Sequence, residues 1–292
     1  MQLLDGKALS ATIKAEVAAG VRELGPARRP VLALVRVGED PASRVYVASK
    51  ARACEECGIE SRNVELPEDS PEDRVLGVLR DFNQDPAVDG ILLQLPLPRQ
   101  IDSDRAIATI SPEKDVDGFH PASLGRLAAG TPRFVPCTPL GIRELLVRNG
   151  VRTAGANVVV LGRSVIVGKP MALLLAMKGE GGDATVTICH SRTRDVAAHT
   201  RAADIIIAAM GVPRFLTGDM VRDGATVVDV GINRVDDPAA KKGYRIVGDV
   251  DFDAVAPKTS FITPVPGGVG PMTVAMLMWN TLAAYRMRER TA

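Results

Sequence analysis

Apolar and polar positions along the first hundred residues follow two different periods. Apolar side chains recur at helical spacing in KALSATIKAEVAAGVREL and in PEDRVLGVLRDFNQ, which predicts helices there. VLALVRV, IESRNVEL and VDGILLQLPLP are short runs of strand type, whereas PASRVYVASKARACEECG starts with proline and stops on glycine, as helices do. Strands separated by helices indicate parallel strands joined by crossovers, so we predict an α/β fold.

A second alternating series follows a region rich in proline and glycine, residues 113–141, which predicts a crossing between two domains. The series contains the strand NVVVLG, the helix GKPMALLLAMK and the strands ATVTICH, ADIIIAAMG and ATVVDVGIN. The final pattern, GPMTVAMLMWNTLAAYRMRER, predicts one long helix whose basic last turn suits the helix dipole. We expect this helix to leave the second domain and to pack back on the first.

Composition narrows the class of protein. The chain has 292 residues, 46% hydrophobic and 24% charged, with a net charge of +1, which argues against a nucleic-acid or acidic-membrane surface. No apolar run approaches the roughly 20 residues that span a bilayer, and the first residues lack a signal pattern. Four cysteines do not resemble a secreted disulfide framework. We therefore predict a reduced, cytoplasmic protein.

The pair Cys54 and Cys57 has the spacing C-x-x-C, which occurs in zinc sites and redox proteins. A zinc site needs a second pair of ligands, and the remaining cysteines stand alone in the sequence. The three histidines show no metal-ligand spacing either. We expect two helical cysteines before the helix-ending Gly58, and no metal.

VVVLGRSVIVGKP is a strand that runs into a glycine-bearing turn and a helix, the context of a Rossmann-like nucleotide site. As G-x-G-x-x-G it matches weakly, because Ser164 and Val167 follow Gly162 at the glycine positions, so a ligand-free turn remains the alternative. The next strand ends in CHSRT, which offers Ser191 and Arg192 and no carboxylate for a ribose. Guanidinium groups, including Arg163, suit a 2′-phosphate, which favours NADP over NAD.

The stretch YVASK places Tyr46 and Lys50 one helical turn apart, the spacing of a short-chain dehydrogenase pair. In that class the nucleotide loop precedes the pair on the same domain. Here the pair precedes the loop by more than a hundred residues, so the short-chain interpretation fails. We expect the chemistry in a cleft between a first domain with this pair and a second domain with the nucleotide.

Other polar groups fall where sheets of this type place their sites. Gln94 ends a buried strand, Asp115 and Asp117 lie on the loop EKDVDGFHP, and TPVPGGVGPMT opens onto a helix. Each of these has a purely structural explanation when it is taken alone, such as a turn aspartate before Gly118.

Taken together, YVASKARACEECGI, DGILLQLPLP, PEKDVDGFHP, PCTPLG, VVVLGRSVIVGKPM, TVTICHS, VVDVGIN, VGDVDF and ITPVPGGVGPMTVAMLM resemble the bifunctional methylenetetrahydrofolate dehydrogenase/cyclohydrolase family. The resemblance implies oxidation of 5,10-methylenetetrahydrofolate to 5,10-methenyltetrahydrofolate with NADP⁺, then hydrolysis to 10-formyltetrahydrofolate, within one-carbon metabolism. It also implies a homodimer of two-domain α/β chains. Residues 1–138 and 270–292 would form the folate-binding catalytic domain, and residues 139–269 the NADP-binding Rossmann-like domain.

The same resemblance assigns roles to individual residues. Lys50 matches the catalytic lysine, Tyr46 the tyrosine on the folate ring, Gln94 the glutamine beside the lysine and Asp117 the aspartate that holds the pterin. The matched folate-loop residues are Pro266, Gly267, Gly270 and Thr273, and the matched NADP contacts are Gly162, Arg163, Ser164, Ser191 and Ile232.

One position departs from the family pattern. Where the family usually has an asparagine two residues after FHP, this chain has Ser123, whose shorter side chain is expected to alter the local loop. A same-fold alternative is a dehydrogenase without the cyclohydrolase step, or an enzyme resembling the amino-acid dehydrogenases. A non-catalytic folate- or nucleotide-binding protein is disfavoured by the presence of both Lys50 and Gln94.

Overall fold

The chain folds into two α/β units, and the computed structural model describes residues 1–25, 28–240 and 243–289. The three-stranded unit consists of Ala11–Cys137 together with the chain from Val274 onward, and the six-stranded unit consists of Met1–Ser10 and Thr138–Thr273. No helix within the described residues is both long and apolar enough to cross a membrane.

The strands and helices alternate along most of the chain. The strands are β1 (Gln2–Leu3), β2 (Val31–Val37), β3 (Glu60–Leu66), β4 (Gly90–Leu93), β5 (Asn157–Leu161), β6 (Thr185–Cys189), β7 (Ile205–Ala208), β8 (Thr226–Asp229), β9 (Asn233–Asp236), β10 (Tyr244–Val247) and β11 (Phe261–Ile262). The helices are α1 (Gly6–Arg22), α2 (Pro41–Cys57), α3 (Glu72–Gln84), α4 (Ser103–Thr109), α5 (Pro121–Ala128), α6 (Cys137–Arg148), α7 (Gly168–Ala176), α8 (Val196–Arg201), α9 (Phe252–Val255) and α10 (Val269–Glu289).

The three-stranded unit is built on a parallel sheet with the order β3-β2-β4. Every residue of β2 is buried, because this strand lies in the centre and both of its faces are covered. The core around the strand is mostly aliphatic, with Val75, Leu76 and Leu79 of α3 packed against it. The bond from the Ile91 amide to the Lys114 carbonyl brings the stretch KDVDG beside β4.

The six-stranded unit contains a sheet with the order β1-β11-β8-β7-β5-β6, in which every paired neighbour is parallel. β5 lies between β6 and β7, the strands that follow it along the chain, so the order reverses there. In open α/β sheets ligands bind at such a switch point, beyond the carboxyl ends of the strands. The prediction of a two-domain α/β protein with a Rossmann-like second domain is confirmed.

Three details of the sequence prediction need correction. The strand predicted for VDGILLQLPLP is only Gly90–Leu93, because the prolines that follow cannot donate to a ladder. The strand predicted for ATVVDVGIN ends at Asp229, and a separate antiparallel hairpin of β9 and β10 begins at Asn233. The region 113–141 is not merely a crossing, since α5 and the start of α6 lie within it.

The last helix is grouped with the three-stranded unit from Val274 onward. Its Asn280 side chain is buried and donates from Nδ2 to the Val116 carbonyl at 2.8 Å and to the Val135 carbonyl at 3.0 Å. Because both acceptors are carbonyl oxygens, the orientation of the amide is unambiguous. The bond to Val116 fixes the backbone between the two aspartates of the KDVDG stretch, Asp115 and Asp117.

Candidate active site

Lys50 and Gln94 meet at the carboxyl end of the three-stranded sheet. Lys50 lies on α2 one turn after Tyr46, on the same face of the helix. Its side chain is buried, and Nζ donates to Oε1 of Gln94 at 2.9 Å. The backbone N–H of Gln94 donates to the Val35 carbonyl at 2.8 Å, which fixes the backbone of Gln94 beside β2.

The orientation of the Gln94 side-chain amide follows from the other hydrogen bond that this amide makes. Nε2 donates to the Leu95 carbonyl at 2.6 Å, so Oε1 is the atom that faces the lysine. A neutral amide holds the amine of Lys50 without stabilising a positive charge as strongly as a carboxylate does. This arrangement keeps the lysine in place while leaving its protonation state adjustable.

The stretch KDVDG contains three charged side chains, and Lys114 has a structural task. Its Nζ donates to the carbonyls of Phe82 at 2.9 Å and Asp85 at 2.7 Å, at the end of α3. A lysine at this position satisfies carbonyls that the helix itself leaves unpaired. Burial lowers the pKa of Lys114. The amine is therefore used by the fold.

Asp115 is also occupied by the fold. It is 2% exposed and accepts from the amides of Phe119 at 3.2 Å and His120 at 2.9 Å, and from Ser123 Oγ at 2.7 Å. Burial raises the pKa of Asp115, and these three donors oppose that effect. Ser123, the position that departs from the family pattern, thus has a defined role, because it caps a buried carboxylate that shapes the loop.

Asp117 differs from both of its charged neighbours. Among the residues that the structure describes, no backbone N–H donates to its carboxylate. Burial raises the pKa of Asp117, the Lys50 ammonium lowers it, and the Asp115 charge raises it further. The Cys137 thiol lies beside it, donating to the Val116 carbonyl at 3.4 Å. A half-buried carboxylate with so few donors is available for a ligand that carries N–H groups.

The protonation of Lys50 depends on the same surroundings. Burial lowers the pKa of Lys50, whereas the charge of Asp117 opposes that effect. Burial also raises the pKa of the partly buried Tyr46, which keeps this hydroxyl protonated. The result is an amine closer to neutrality than an exposed lysine, next to a neutral phenol and a carboxylate.

The predicted nucleotide residues lie at one edge of the six-stranded sheet. They follow the carboxyl ends of β5, β6 and β8. In the sheet these strands lie close together, in the order β6-β5-β7-β8. Gly162, Arg163 and Ser164 follow β5, Ser191 follows β6 and Ile232 follows β8. Apart from the partly buried Gly162, these residues are exposed.

The turn after β5 can be made only with glycine. Gly162 has a φ of +119°, and a Cβ there would stand 2.2 Å from the Ala209 carbonyl oxygen. A Cβ on Gly168, at the start of α7, would stand 2.3 Å from the Gly162 carbonyl oxygen. The backbone therefore passes closely between strand and helix, as a loop that receives a pyrophosphate does. The first Gly-x-Gly spacing is absent, yet the close packing is present.

Two side chains in this region already have partners within the fold. Ser164 Oγ accepts from the amides of Val167 at 3.1 Å and Gly168 at 3.3 Å, at the start of α7. Asp195 caps α8 and accepts from the Ala198 amide at 3.0 Å. This carboxylate therefore serves the start of α8. The exposed Ser191 and Arg192 follow β6 without a carboxylate beside them in the sequence.

The predicted folate loop, residues 266–273, is held by the start of the chain. The Lys7 amide donates to the Gly267 carbonyl at 2.8 Å, and a Cβ on Gly6 would stand 1.8 Å from the Gly268 carbonyl oxygen. At the other end, the Thr273 and Thr138 hydroxyls lie 2.9 Å apart. A Cβ on Gly270 would stand 3.7 Å from Cδ1 of Ile232, so this loop adjoins a predicted nucleotide residue.

The C-x-x-C pair is structural. Cys54 and Cys57 are free, buried thiols on α2, and α2 ends at Cys57 just before Gly58, as predicted. Burial raises the pKa of Cys54 to about 12 and that of Cys57 to about 11, so neither is a thiolate near neutral pH. Within residues 1–25, 28–240 and 243–289 no group of His, Cys, Asp and Glu side chains could hold a metal ion.

A Rossmann-like sheet with a glycine-bearing turn, and a buried lysine held by an amide near a carboxylate, together define a nucleotide-dependent oxidoreductase. Comparison with known proteins identifies the family. Residues 4–117 match the model of the tetrahydrofolate dehydrogenase/cyclohydrolase catalytic domain. Residues 136–289 match the model of the NAD(P)-binding domain of the same family. The chain belongs to the tetrahydrofolate dehydrogenase/cyclohydrolase family.

Relatives support this assignment along the whole chain. The chain is 55% identical to the bifunctional protein FolD of Flavobacterium johnsoniae, with 99% of each chain covered. The crystal structure of the bifunctional FolD dehydrogenase/cyclohydrolase of Campylobacter jejuni is 48% identical, has a TM-score of 0.93 and covers 99% of both chains. The FolD structure of Trypanosoma brucei, complexed with NADP and an inhibitor, is 41% identical with a TM-score of 0.93, covering 98% and 97%.

These findings confirm the predicted family and the predicted bifunctional enzyme. The chain is a methylenetetrahydrofolate dehydrogenase and methenyltetrahydrofolate cyclohydrolase, which oxidises the methylene compound and then hydrolyses the product. The predicted cofactor agrees with the NAD(P)-binding domain of the family and with the NADP of the trypanosomal structure. The alternative of a non-catalytic binding protein is not supported.

Proposed function

We propose that both reactions use Lys50, Gln94, Asp117 and Tyr46, with NADP⁺ as the oxidant. The observation that carries this proposal is the buried Lys50, held at 2.9 Å by a neutral amide and close to a carboxylate with few donors. The trypanosomal relative, whose structure contains NADP, supports the choice of cofactor. The division into residues 1–138 with 270–292 for folate and 139–269 for NADP is part of the same proposal.

The dehydrogenase step is mainly a matter of position. Bound NADP⁺ supplies the hydride acceptor, and no protein nucleophile is needed. The chain must hold the methylene carbon close to that acceptor and exclude other geometries. We assign Tyr46 to the face of the folate ring, and Pro266, Gly267, Gly270 and Thr273 to the loop that lines the folate.

The cyclohydrolase step needs a group that moves protons. Water must reach the methenyl carbon, and protons must be transferred while the ring opens. Lys50 suits this task because burial lowers its pKa, and the cationic substrate would lower it further. Gln94 holds the amine in position, and Asp117 accepts from the N–H donors of the pterin.

Nucleotide recognition is assigned to the edge beyond β5, β6 and β8. The positions of Gly162 and Ser164 at the start of α7 suit the pyrophosphate, and Ile232 suits an apolar part of the nucleotide. Arg163 and Ser191, with Arg192, would bind the 2′-phosphate, for which no carboxylate competes in CHSRT. An exchange of Arg192→Asp should therefore shift the preference from NADP⁺ toward NAD⁺.

The assembly and location of the enzyme complete the proposal. We infer a homodimer acting on tetrahydrofolate derivatives in the cytoplasm, within the one-carbon metabolism that serves purine, methionine and histidine synthesis. The balanced charge of the chain supports the absence of a nucleic-acid partner. Sedimentation of the purified chain at micromolar concentration tests the dimer.

One assay tests the two activities and the cofactor together. Methenyltetrahydrofolate absorbance is followed after addition of NADP⁺, then after NAD⁺ in a separate run, and its decay is recorded afterwards. The proposal expects rapid formation with NADP⁺, slower formation with NAD⁺ and an enzyme-dependent decay. Formation without enzyme-dependent decay would indicate a dehydrogenase that lacks the cyclohydrolase step.

A further inference from the structure

Asp249 is a buried carboxylate that ties together two loops of the six-stranded unit. It is 1% exposed. Its Oδ2 accepts from the amides of Met210 at 2.6 Å and Gly211 at 2.8 Å, in the loop after β7. Its Oδ1 accepts from Nδ2 of Asn233 at 2.8 Å, at the start of β9. One side chain thus fixes the exits of two neighbouring strands.

Asp229, the last residue of β8, holds Asp249 in place. It is 4% exposed and accepts from the amides of Gly231 at 2.9 Å, Asp249 at 2.9 Å and Val250 at 3.0 Å. Its own amide donates to Thr263 Oγ1 at 2.7 Å, just before the predicted folate loop. The hydrogen bonds form a continuous chain from Thr263 through both carboxylates to the loop after β7.

The surrounding backbone leaves no room for these carboxylates to move. A Cβ on Gly231 would stand 2.3 Å from Asp249 Oδ1, and a Cβ on Gly248 would stand 1.7 Å from Asp229 Oδ2. Within the described part of the chain neither carboxylate forms an ion pair. The fold therefore accommodates two buried carboxylates by hydrogen bonds alone, three to each carboxylate.

This network borders the nucleotide residues of the proposed function. Ile232 lies between Gly231 and Asn233, both of which donate to the carboxylate pair. The loop after β7 also supplies the Ala209 carbonyl against which Gly162 packs. The backbone that carries Ile232 and the backbone that confines Gly162 are therefore held by Asp249 and Asp229.

We propose that Asp249, supported by Asp229, is a positioning residue for the nucleotide, because it sets the relative placement of the turns after β5, β7 and β8. Asp249 acts through the backbone and touches neither substrate nor cofactor. The inference rests on the proposed function insofar as it takes this edge of the sheet to be the nucleotide site.

The test compares the same substitution at opposite edges of one sheet. Asp249→Asn keeps the shape of the side chain but removes the negative charge to which Met210, Gly211 and Asn233 donate. Asp204→Asn is the control at the other edge, because Asp204 lies before β7, accepts from the Asn157 amide at 2.6 Å and pairs with Arg222. Binding of NADP⁺ is measured by nucleotide fluorescence titration, thermal unfolding separately, and methenyl hydrolysis without nucleotide as a third readout.

Asp249→Asn should raise the dissociation constant for NADP⁺ by about tenfold or more, since bonds to a charged group are lost. Methenyl hydrolysis should remain. Asp204→Asn should lower the unfolding temperature and leave the dissociation constant unchanged. Equal NADP⁺ affinity of Asp249→Asn and the wild type, or an equal loss in both variants, would overturn the inference.

A double variant returns the negative charge to this cluster on the other side chain of the pair and restores complementary hydrogen bonding. In Asp249→Asn with Asn233→Asp, the amide oxygen can accept from Met210 and Gly211 while its NH₂ donates to the new carboxylate. NADP⁺ affinity should return most of the way to the wild-type value, and a failure to return would contradict positioning through these bonds. If Asp249→Asn does not fold, Asn233→Ala should still raise the dissociation constant about threefold, and no change would count against the inference.

Different results would contradict the proposed function and the role of Asp249. A wild-type chain that bound no NADP⁺ would contradict the proposed function, and the inference with it. A wild-type chain that binds NADP⁺, together with an Asp249→Asn variant that binds equally well, would contradict only the inference.

Discussion

Each unit places a carboxylate at the carboxyl end of its sheet, the buried Asp229 in one and the half-buried Asp117 in the other, and the two differ in their hydrogen-bond donors. In the six-stranded unit Asp229 accepts from three backbone amides, and its position is fully determined by the fold. In the three-stranded unit Asp117 accepts from no backbone amide among the described residues. Since a carboxylate removed from water needs donors, Asp229 is satisfied by the fold, whereas Asp117 is available to a ligand.

The same contrast separates the two buried lysines of the three-stranded unit. Lys114 is held by two carbonyls at the end of α3, whereas Lys50 donates to a single amide oxygen. Burial lowers the pKa of both, so burial alone does not identify the catalytic group. The difference in partners supports the proposal that Lys114 is structural and that Lys50 exchanges a proton.

Substitution of Lys50 should have the greatest effect on activity and tests the difference between the two lysines. Lys50→Met should reduce methenyl hydrolysis by about 10²- to 10⁴-fold, because a positioned proton-transfer group is removed. NADP⁺ should still bind. The measurement is the decay of the methenyl absorbance at saturating substrate, with nucleotide binding checked by titration.

Lys114→Met is the matched control for this experiment. It should lower the free energy of unfolding by about 1–3 kcal/mol, because carbonyls at the end of α3 lose their donor, while turnover per folded molecule stays the same. Wild-type hydrolysis by Lys50→Met, or an equal loss in the two variants, would break the distinction between the lysines.

The ionisation of Asp229 should make the stability of the fold depend on pH. Burial, with a smaller contribution from the Asp249 charge, raises the pKa of Asp229 from its ordinary value of 3.8 to about 6, against the effect of its three amide donors. Between these values the folded state binds more protons than the unfolded state, so this contribution to stability falls as pH rises. The loss amounts to about 3 kcal/mol by the end of that range.

Chemical denaturation of the wild type and Asp229→Asn from pH 4 to pH 7 measures this effect. The wild type should lose stability relative to the variant as the pH rises through about 6. A constant difference between the two proteins would show that Asp229 does not titrate in this range.

A smaller effect is expected from substitution of Asp117, the carboxylate to which no backbone amide of the described residues donates. Asp117→Ala should raise KM for the folate substrate by about 10- to 100-fold, because a charge-assisted bond to the ligand is lost. Asp115→Ala is the contrast, since its carboxylate serves the loop that follows and its loss should appear in the unfolding temperature. Unchanged KM and kcat in Asp117→Ala would remove Asp117 from the site.

The smallest effect concerns the serine that caps Asp115. Ser123→Ala should lower the free energy of unfolding by about 1.5 kcal/mol, because a buried carboxylate loses one donor. The folate KM should not change, since Asp117 keeps its surroundings. A loss of folate affinity without a loss of stability would contradict the structural role of Ser123.

The hydrophobic pattern predicted most helices and strands because their faces are buried within one unit. The run VLALVRV and the helix GKPMALLLAMK were predicted almost to their ends, since β2 and α7 are buried and bounded by glycine or proline. The end of β8 could not be predicted, because Asp229 turns the chain through bonds to residues that lie later in the sequence. β1 is too short for any periodic signal, and it pairs with β11 from the other end of the chain.

The roles of the site residues divide in the same way. The order of YVASK and the glycine turn excluded one enzyme class from the sequence alone, and the resemblance assigned roles to Lys50 and Asp117. The sequence did not show that Lys114 and Asp115 of the same stretch are occupied by the fold. Gly6 was also missed, because its need for glycine arises from the Gly268 carbonyl, a contact across most of the chain.

We propose that Lys50 reacts as a neutral amine, with a pKa that burial lowers and the Asp117 charge raises. The most direct test is the pH dependence of kcat for methenyl hydrolysis in the wild type and in Asp117→Asn. Removing the carboxylate lowers the pKa of Lys50, so the acidic limb of the profile should move to lower pH in the variant. A limb that stays in place, or that moves to higher pH, would contradict the account.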